Sequence, residues 1–522
     1  MLCDILGPPG EVQDCVPGRI HVTPSERSAL RRPWSHTIWE GRMGRQRQRW
    51  AGCLALTAAL TVLLFIGRLS AQAPGQGPGT PWEPALPGDE IAPQLLSGPD
   101  GQVFRLWQRW TDFRTGGGGI FLALASPRDT WHKLLELHPS EPGITALDPD
   151  VAFGSSKEVA VAYQWRRHNP RTKQIRVARS HDGGKTWIQS STAVESSGKG
   201  FTPKLAWGRG RSLVVVWADE RRVDRTWDIF VRRSPDSGGT WEPDQLLSRF
   251  PQWTKDDAFV SPEMIGDGQD RFWVVWLGLR NGRSSFYLSR SIDGGRTWTD
   301  PVALSGQSES VFGQRLVRSG ERLLLVWLDA RTGTAQDRIY AVTSGDGGVT
   351  WSSPTRVDHV PADSQTSTGT PAVVLGPDPE VFVTWHDGRN GRDDIFFGRS
   401  PDFGRTWGTE DIRLDMDEPG TAVSRFHRIA RAEDGRLAVA WEDDRAGQEG
   451  VYLRVRAAGR SPAWGPEVVV APPGPKKAAR VPSVLWGRGG ALYVAWEAWD
   501  LSQGPSTVTK RVDGRILFPD KK

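Results

Sequence analysis

The sequence predicts an all-β fold, a β-propeller of four-stranded blades, and three observations point there. The chain of 522 residues holds 59 Gly and 38 Pro, which helices disfavour, beside 26 Trp, which suit packed strands. An eight-residue box, S-x-D-x-G-x-T-W, recurs at 180–187, 234–241, 291–298, 344–351 and 400–407. Between the boxes run hydrophobic strands that end in W-x-D-x-R. Repeats of about 50 residues built from short strands are the propeller pattern.

The first 73 residues precede this repeat. They carry nine Arg against five acids, which is +4 of the formal +5, so the body is near neutral and no basic stripe argues for nucleic acid. Cys3, Cys15 and Cys53 all lie there, leaving the body without a thiol for a disulfide, a metal or a nucleophile. Residues 43–73 read as an export signal: Arg45, Arg47 and Arg49 precede an apolar run at 51–67, and Ser70-Ala71-Gln72-Ala73 offers small residues for cleavage. The apolar run falls short of the roughly 20 residues that span a bilayer, so no stable membrane span is expected after cleavage. Residues 1–42 are expected to be an over-extended gene model or a tail, and 74–79 a Gly/Pro/Gln linker. An exported product is implied: periplasmic, cell-surface or secreted.

The propeller is expected over 80–517. Box Trp residues, intact or degenerate, stand at 82, 131, 187, 241, 298, 351, 407 and 464. Each period reads as strands A to D with period-2 alternation and Gly/Asp turns. Strand A opens with Pro93, Pro149, Pro203, Pro262, Pro371 or Pro482, with Gln314 and His427 in the other two. Strand B ends in Trp217, Trp327, Trp385 or Trp441, with looser copies at Trp110, Tyr163, Trp276 and Trp496. Eight A–B–C sets predict eight blades, with seven or six as alternatives. The last set lacks a fourth strand, so residues 80–87 are expected to pair with the strand near 505–512 and cover its edge.

The box itself reads as scaffold. Its glycines permit a tight turn, and Asp182, Asp236, Asp293, Asp346 and Asp402 can bond the turn amides. An EF-hand would need further ligands and a late Glu, so no metal or other cofactor is expected. The paired Asp219, Asp329, Asp387 and Asp443 with Arg221, Arg331, Arg389 and Arg445 repeat too, and are expected to pair locally or with the neighbouring blade.

Ser180-x-Asp182-x-Gly184-x-Thr186-Trp187 and its four copies resemble the Asp-box (BNR) repeats of the sialidase superfamily, across about 440 residues. The resemblance implies a propeller with the boxes opposite the active face. It also implies cleavage of terminal sialic acid by a tyrosine–glutamate pair and an aspartate, with three arginines on the substrate carboxylate. The chain departs from that pattern. The Arg-Ile-Pro motif is absent, eight blades replace six, and all five tyrosines fall at repeat-equivalent places. Tyr287, Tyr340 and Tyr452 share the strand C position of Phe230 and Phe396, Tyr163 replaces a strand B Trp, and Tyr493 lies in the last strand B.

Function should sit where the repeats disagree. The residue after the strand A Pro runs Gln94, Asp150, Lys204, Glu263, Arg315, Ala372, Arg428 and Ser483. In a propeller strand A is innermost, so Asp150, Lys204, Glu263, Arg315 and Arg428 are the candidate binding residues of one channel mouth. Two readings stand: a polar pocket in which cations hold an anionic group, or a self-neutralising ring of ion pairs. The chain is expected to be a monomer that binds a glycan or an envelope or extracellular protein there. The alternative is a glycoside hydrolase acting on terminal acidic sugars, with Glu263 or Asp150 as acid/base.

Overall fold

The computed structural model describes residues 89–517, apart from short stretches within loops and turns. Two compact units divide the chain at Leu56, and all described residues lie in the second. Export signal, linker and residues 80–87 lie outside the described residues. Among the described residues the only helix is a 3-10 turn, Arg488–Gly490, and none is long and apolar enough to cross a membrane.

The architecture is a succession of antiparallel four-stranded meanders. Five are separate sheets, and the first two join in one sheet through a single parallel bridge, Gly118 to Thr145. The last, Lys477–Trp486, Leu492–Asp500 and Thr509–Leu517, has three strands. Strand B is heavily buried, as Leu213–Asp219 illustrates with every residue inside. Its Trp stacks on the strand C aromatic: Trp217 on Phe230, Trp276 on Tyr287, Trp327 on Tyr340, Trp385 on Phe396 and Trp441 on Tyr452, with centroids 6.2–6.4 Å apart. In the first unit the equivalent residue is Trp107, stacked on Phe121 at 5.3 Å, and not the Trp110 that the motif spacing suggests. The interior between units is apolar, and the last unit shares such a cluster with the first through Ala495, Val512, Leu95 and Phe121.

Each box closes the turn between strands C and D by the same hydrogen bonds. In the first, Ser180 Oγ donates to Asp182 at 2.7 Å, Gly184 N to Ser180 Oγ at 2.8 Å, and Thr186 N to Asp182 at 2.9 Å. The corresponding Thr amides reach Asp236, Asp293, Asp346 and Asp402 at 2.7–2.9 Å. These are local turn bonds, formed without help from a second unit.

Strand A differs from its sequence reading. It starts three to five residues before the Pro in seven units, so Pro sits mid-strand; only Ala372–Leu375 starts just after its Pro. A strand interior tolerates Pro at a bulge, where no ladder N–H is needed. In all seven, strand A carries one extra residue there. The residue before the Pro position is left-handed each time: Ala92, Asp148, Thr202, Ser261, Gly313, Phe426 and Val481 have φ of 47–68°. Only Gly313 adopts this freely; the other six hold strain of roughly 1–3 kcal/mol each that packing must offset.

Candidate functional site

The bulge aims the candidate residues. Two residues past each left-handed position stand Gln94, Asp150, Lys204, Glu263, Arg315, Arg428 and Ser483, on first strands that neighbour one another from the second unit to the last and from the last to the first. They therefore stand at mid-strand, just past the bulge, and not at the strand start expected from a strand opening on Pro.

Some of them stitch units together. Asp150 accepts Leu205 N at 2.9 Å and pairs with Lys204 Nζ at 3.3 Å. Glu263 accepts Leu316 N at 3.3 Å, and Ser483 accepts Leu95 N at 2.9 Å. Each bond runs from one unit to the residue just after the candidate position of the next. The ion-pair reading thus describes Asp150 and Lys204.

It does not describe Arg315 and Arg428. Each donates Nη1 to its own preceding carbonyl, Arg315 to Gln314 O at 2.7 Å and Arg428 to His427 O at 2.9 Å. Among the described residues neither has a carboxylate in salt-bridge contact. The unit between them offers only the methyl of Ala372. Arg428 keeps open surface, yet lost hydration and then the charge of Arg315 pull its guanidinium down to about 10, leaving it cationic at neutral pH.

Electrostatics links the set into one array. Asp150, then burial, then Glu263 act on Lys204, whose pKa is raised overall. Burial pushes the Glu263 carboxyl up, against the pull of Arg315 and Lys204. Burial likewise raises Asp148, the left-handed residue beside Pro149, to about 6, opposed by Lys204. The second to fourth units thus supply acids around one lysine, and the fifth and seventh supply unpaired arginines.

The other motifs are absorbed by scaffold. Asp219 accepts Trp217 Nε1 at 2.9 Å and Arg221 Nη2 at 2.7 Å, and Asp387 accepts Trp385 Nε1 at 2.9 Å and Arg389 Nη2 at 2.7 Å. Asp443 holds Arg445 at 2.6 Å, and Asp329 accepts Trp327 Nε1 at 3.1 Å; Arg331 lies outside the described residues. Tyr163 is fully buried and burial raises its pKa; burial pushes the Tyr452 phenol up to about 12. Neither is a ready phenolate. Asp394, Asp415 and Asp417 converge closely enough for a metal, but Arg413 Nη2 already lies 2.6–3.2 Å from all three.

Sequence reasoning missed a second layer of latches. Glu442 accepts the N–H of left-handed Val481 at 3.0 Å, and Glu497 that of left-handed Ala92 at 2.8 Å. Gln164 donates to Gly200 O at 3.1 Å. All three follow the strand B aromatic, where Ala218, Leu277 and Leu328 stand in the third to fifth units. That change from apolar to polar was the available signal.

No family model matches the chain, and no curated protein matches it in sequence. Solved structures similar to it include a protein of unknown function from Dyadobacter fermentans, with 16% identity over 72% of this chain and 99% of that one, at a TM-score of 0.37. An alpha-L-arabinanase from Penicillium chrysogenum is 15% identical over 71% of this chain and 93% of that one, with a TM-score of 0.39. A leech intramolecular trans-sialidase is 11% identical over 83% and 92%, at 0.37. At such identities and TM-scores the likeness fixes no activity for this chain.

Proposed function

We propose that the eight units close into an exported, monomeric β-propeller that binds an acidic glycan on the strand A face of its channel, without cleaving it. Closure is supported by the Ser483–Leu95 and Glu497–Ala92 bonds, which repeat between the last and first units the latches seen between inner ones. Residues 80–87 then supply the fourth strand of the last unit, along Thr509–Leu517.

The observation that carries the ligand class is the pair Arg315 and Arg428. Two guanidinium groups on one inner face, tied only to backbone carbonyls, keep donors free for a carboxylate, sulfate or phosphate. Against catalysis stand the employment of Asp150 and Glu263 in inter-unit bonds and the packing of Tyr287, Tyr340 and Tyr452 against tryptophans.

One observation favours the hydrolase reading. Burial raises Asp148 to about 6, toward the range that suits a glycosidic general acid, and burial also raises Glu263. A panel of acidic and neutral sugars, run beside fluorogenic glycosides of the same sugars, separates the two. Binding of the acidic members with no fluorophore release is expected. Release that disappears in Glu263→Gln establishes the hydrolase instead, and equal binding of neutral sugars removes the proposal.

A further inference from the structure

Glu263 and Arg315 stand on neighbouring units with opposite charge, yet they form no salt bridge. Backbone groups engage both: Leu316 N donates to one oxygen of Glu263, and Arg315 Nη1 donates to the carbonyl of Gln314, while the Arg315 charge also draws on the Glu263 carboxyl. Each therefore keeps bonding capacity toward the channel. The same holds on either side. Asp148 has no hydrogen-bond partner among the described residues, and Arg428 lies beyond the small Ala372 with no carboxylate in contact. Lys204 is already committed to Asp150. The second and fourth units thus bring three carboxyl groups around the single cation Lys204, the fifth and seventh bring two arginines, and among the described residues no salt bridge joins the acids to the arginines.

We propose that the ligand is zwitterionic, an acidic sugar with a free amine whose anionic group lies against Arg315 and Arg428 and whose ammonium group lies against Glu263 and Asp148. This rests on the acidic-glycan reading and narrows it. A purely anionic sugar satisfies the arginines but presses its remaining atoms against two carboxyl groups that accept hydrogen bonds and gain most from a cation. A ligand carrying both charges satisfies both sides.

Calorimetric titration of the full chain with three probes tests this. Muramic acid carries a carboxylate and a free amine, N-acetylmuramic acid has the amine capped, and glucosamine has the amine alone. Muramic acid is expected to bind at least tenfold more tightly than either of the others. Glu263→Gln keeps an acceptor for Leu316 N, and Asp148→Asn suits a left-handed backbone. Both should erase the advantage of muramic over N-acetylmuramic acid, with melting temperatures recorded to show the fold intact. Equal or tighter binding of N-acetylmuramic acid by the wild-type chain overturns the zwitterion and leaves the acidic-glycan reading standing. Failure of both acids to bind, with other acidic sugars also silent, overturns the acidic-glycan reading and this inference with it.

Discussion

The hydroxyl of Ser483, on the last unit, accepts the backbone N–H of Leu95, on the first, at 2.9 Å. The two residues are 388 positions apart in the chain, so this contact reports directly on whether the ends of the repeat meet. Ser483→Ala leaves a buried amide without an acceptor, at about 1–3 kcal/mol. Chemical denaturation should show that loss across the whole cooperative transition. An unchanged midpoint would mean that the first and last units do not depend on each other.

Asp387 tests the scaffold assignment of the W-x-D-x-R motif. It is fully buried and accepts Trp385 Nε1, the backbone N–H of Arg389 and two donors of the Arg389 guanidinium. Asp387→Ala leaves that guanidinium in the interior with part of its charge uncompensated, and breaking such a pair costs about 3–5 kcal/mol. The variant should melt markedly lower while binding normally at low temperature. Lost binding with full stability would move this motif from scaffold to site.

The boxes predict acid sensitivity. Hydrogen bonds from Thr186 and Ser180 hold Asp182 well below the usual carboxylate range, and those from Thr240 and Ser234, partly opposed by burial, bring Asp236 down to about 2. A depressed folded pKa means stability present above the unfolded value of about 4 and lost as pH falls through the folded one. Melting temperature should therefore fall steadily from about pH 4 toward pH 2. Asn at several box positions should flatten that decline, and a profile unchanged by those substitutions would remove the boxes as its cause.

Glu442 predicts the opposite slope at higher pH. Burial pushes its carboxyl up to about 7, opposed by Arg480 and the N–H of Val481, with Glu449 adding to the rise. A raised folded pKa gives stability that is complete below the unfolded value of about 4.3 and is lost as pH rises toward 7. One such proton amounts to at most about 1.4 kcal/mol per pH unit. Glu442→Gln should reduce the fall in stability between pH 5 and 7 by a share of that size, read from denaturation midpoints at several pH values. An unaltered slope would assign the dependence to other buried acids, such as Asp415, which burial and Asp394 raise to about 7.

Much of this was legible because the repeat repeats. Five boxes and the strand B tryptophans marked the units, and the tyrosines could be read as packing because Phe230 and Phe396 stand in their place. The bulge was not legible. A left-handed residue is usually announced by Gly, Asn or Asp, and here only Gly313 and Asp148 hint at it, while Ala92, Thr202, Phe426 and Val481 give no such sign. Without the bulge, the Pro looked like the start of strand A and the charged residues like a rim. Trp110 was misplaced for a related reason: its distance from Asp112 and Arg114 fits the motif, but strand pairing selects Trp107. Glu442 and Glu497 escaped notice because one chain shows their polarity and hides what they bond.

Whether Arg315 and Arg428 hold an acidic ligand is read from the affinity of the single alanine variants for acidic sugars. Each guanidinium that contacts the ligand contributes roughly 1.5–3 kcal/mol, or about tenfold or more in affinity. Arg315→Ala and Arg428→Ala should each weaken binding of the tightest acidic sugar by at least that factor, with melting temperatures recorded to show the fold intact. Wild-type affinity in both variants would contradict the account and place the ligand elsewhere on the molecule.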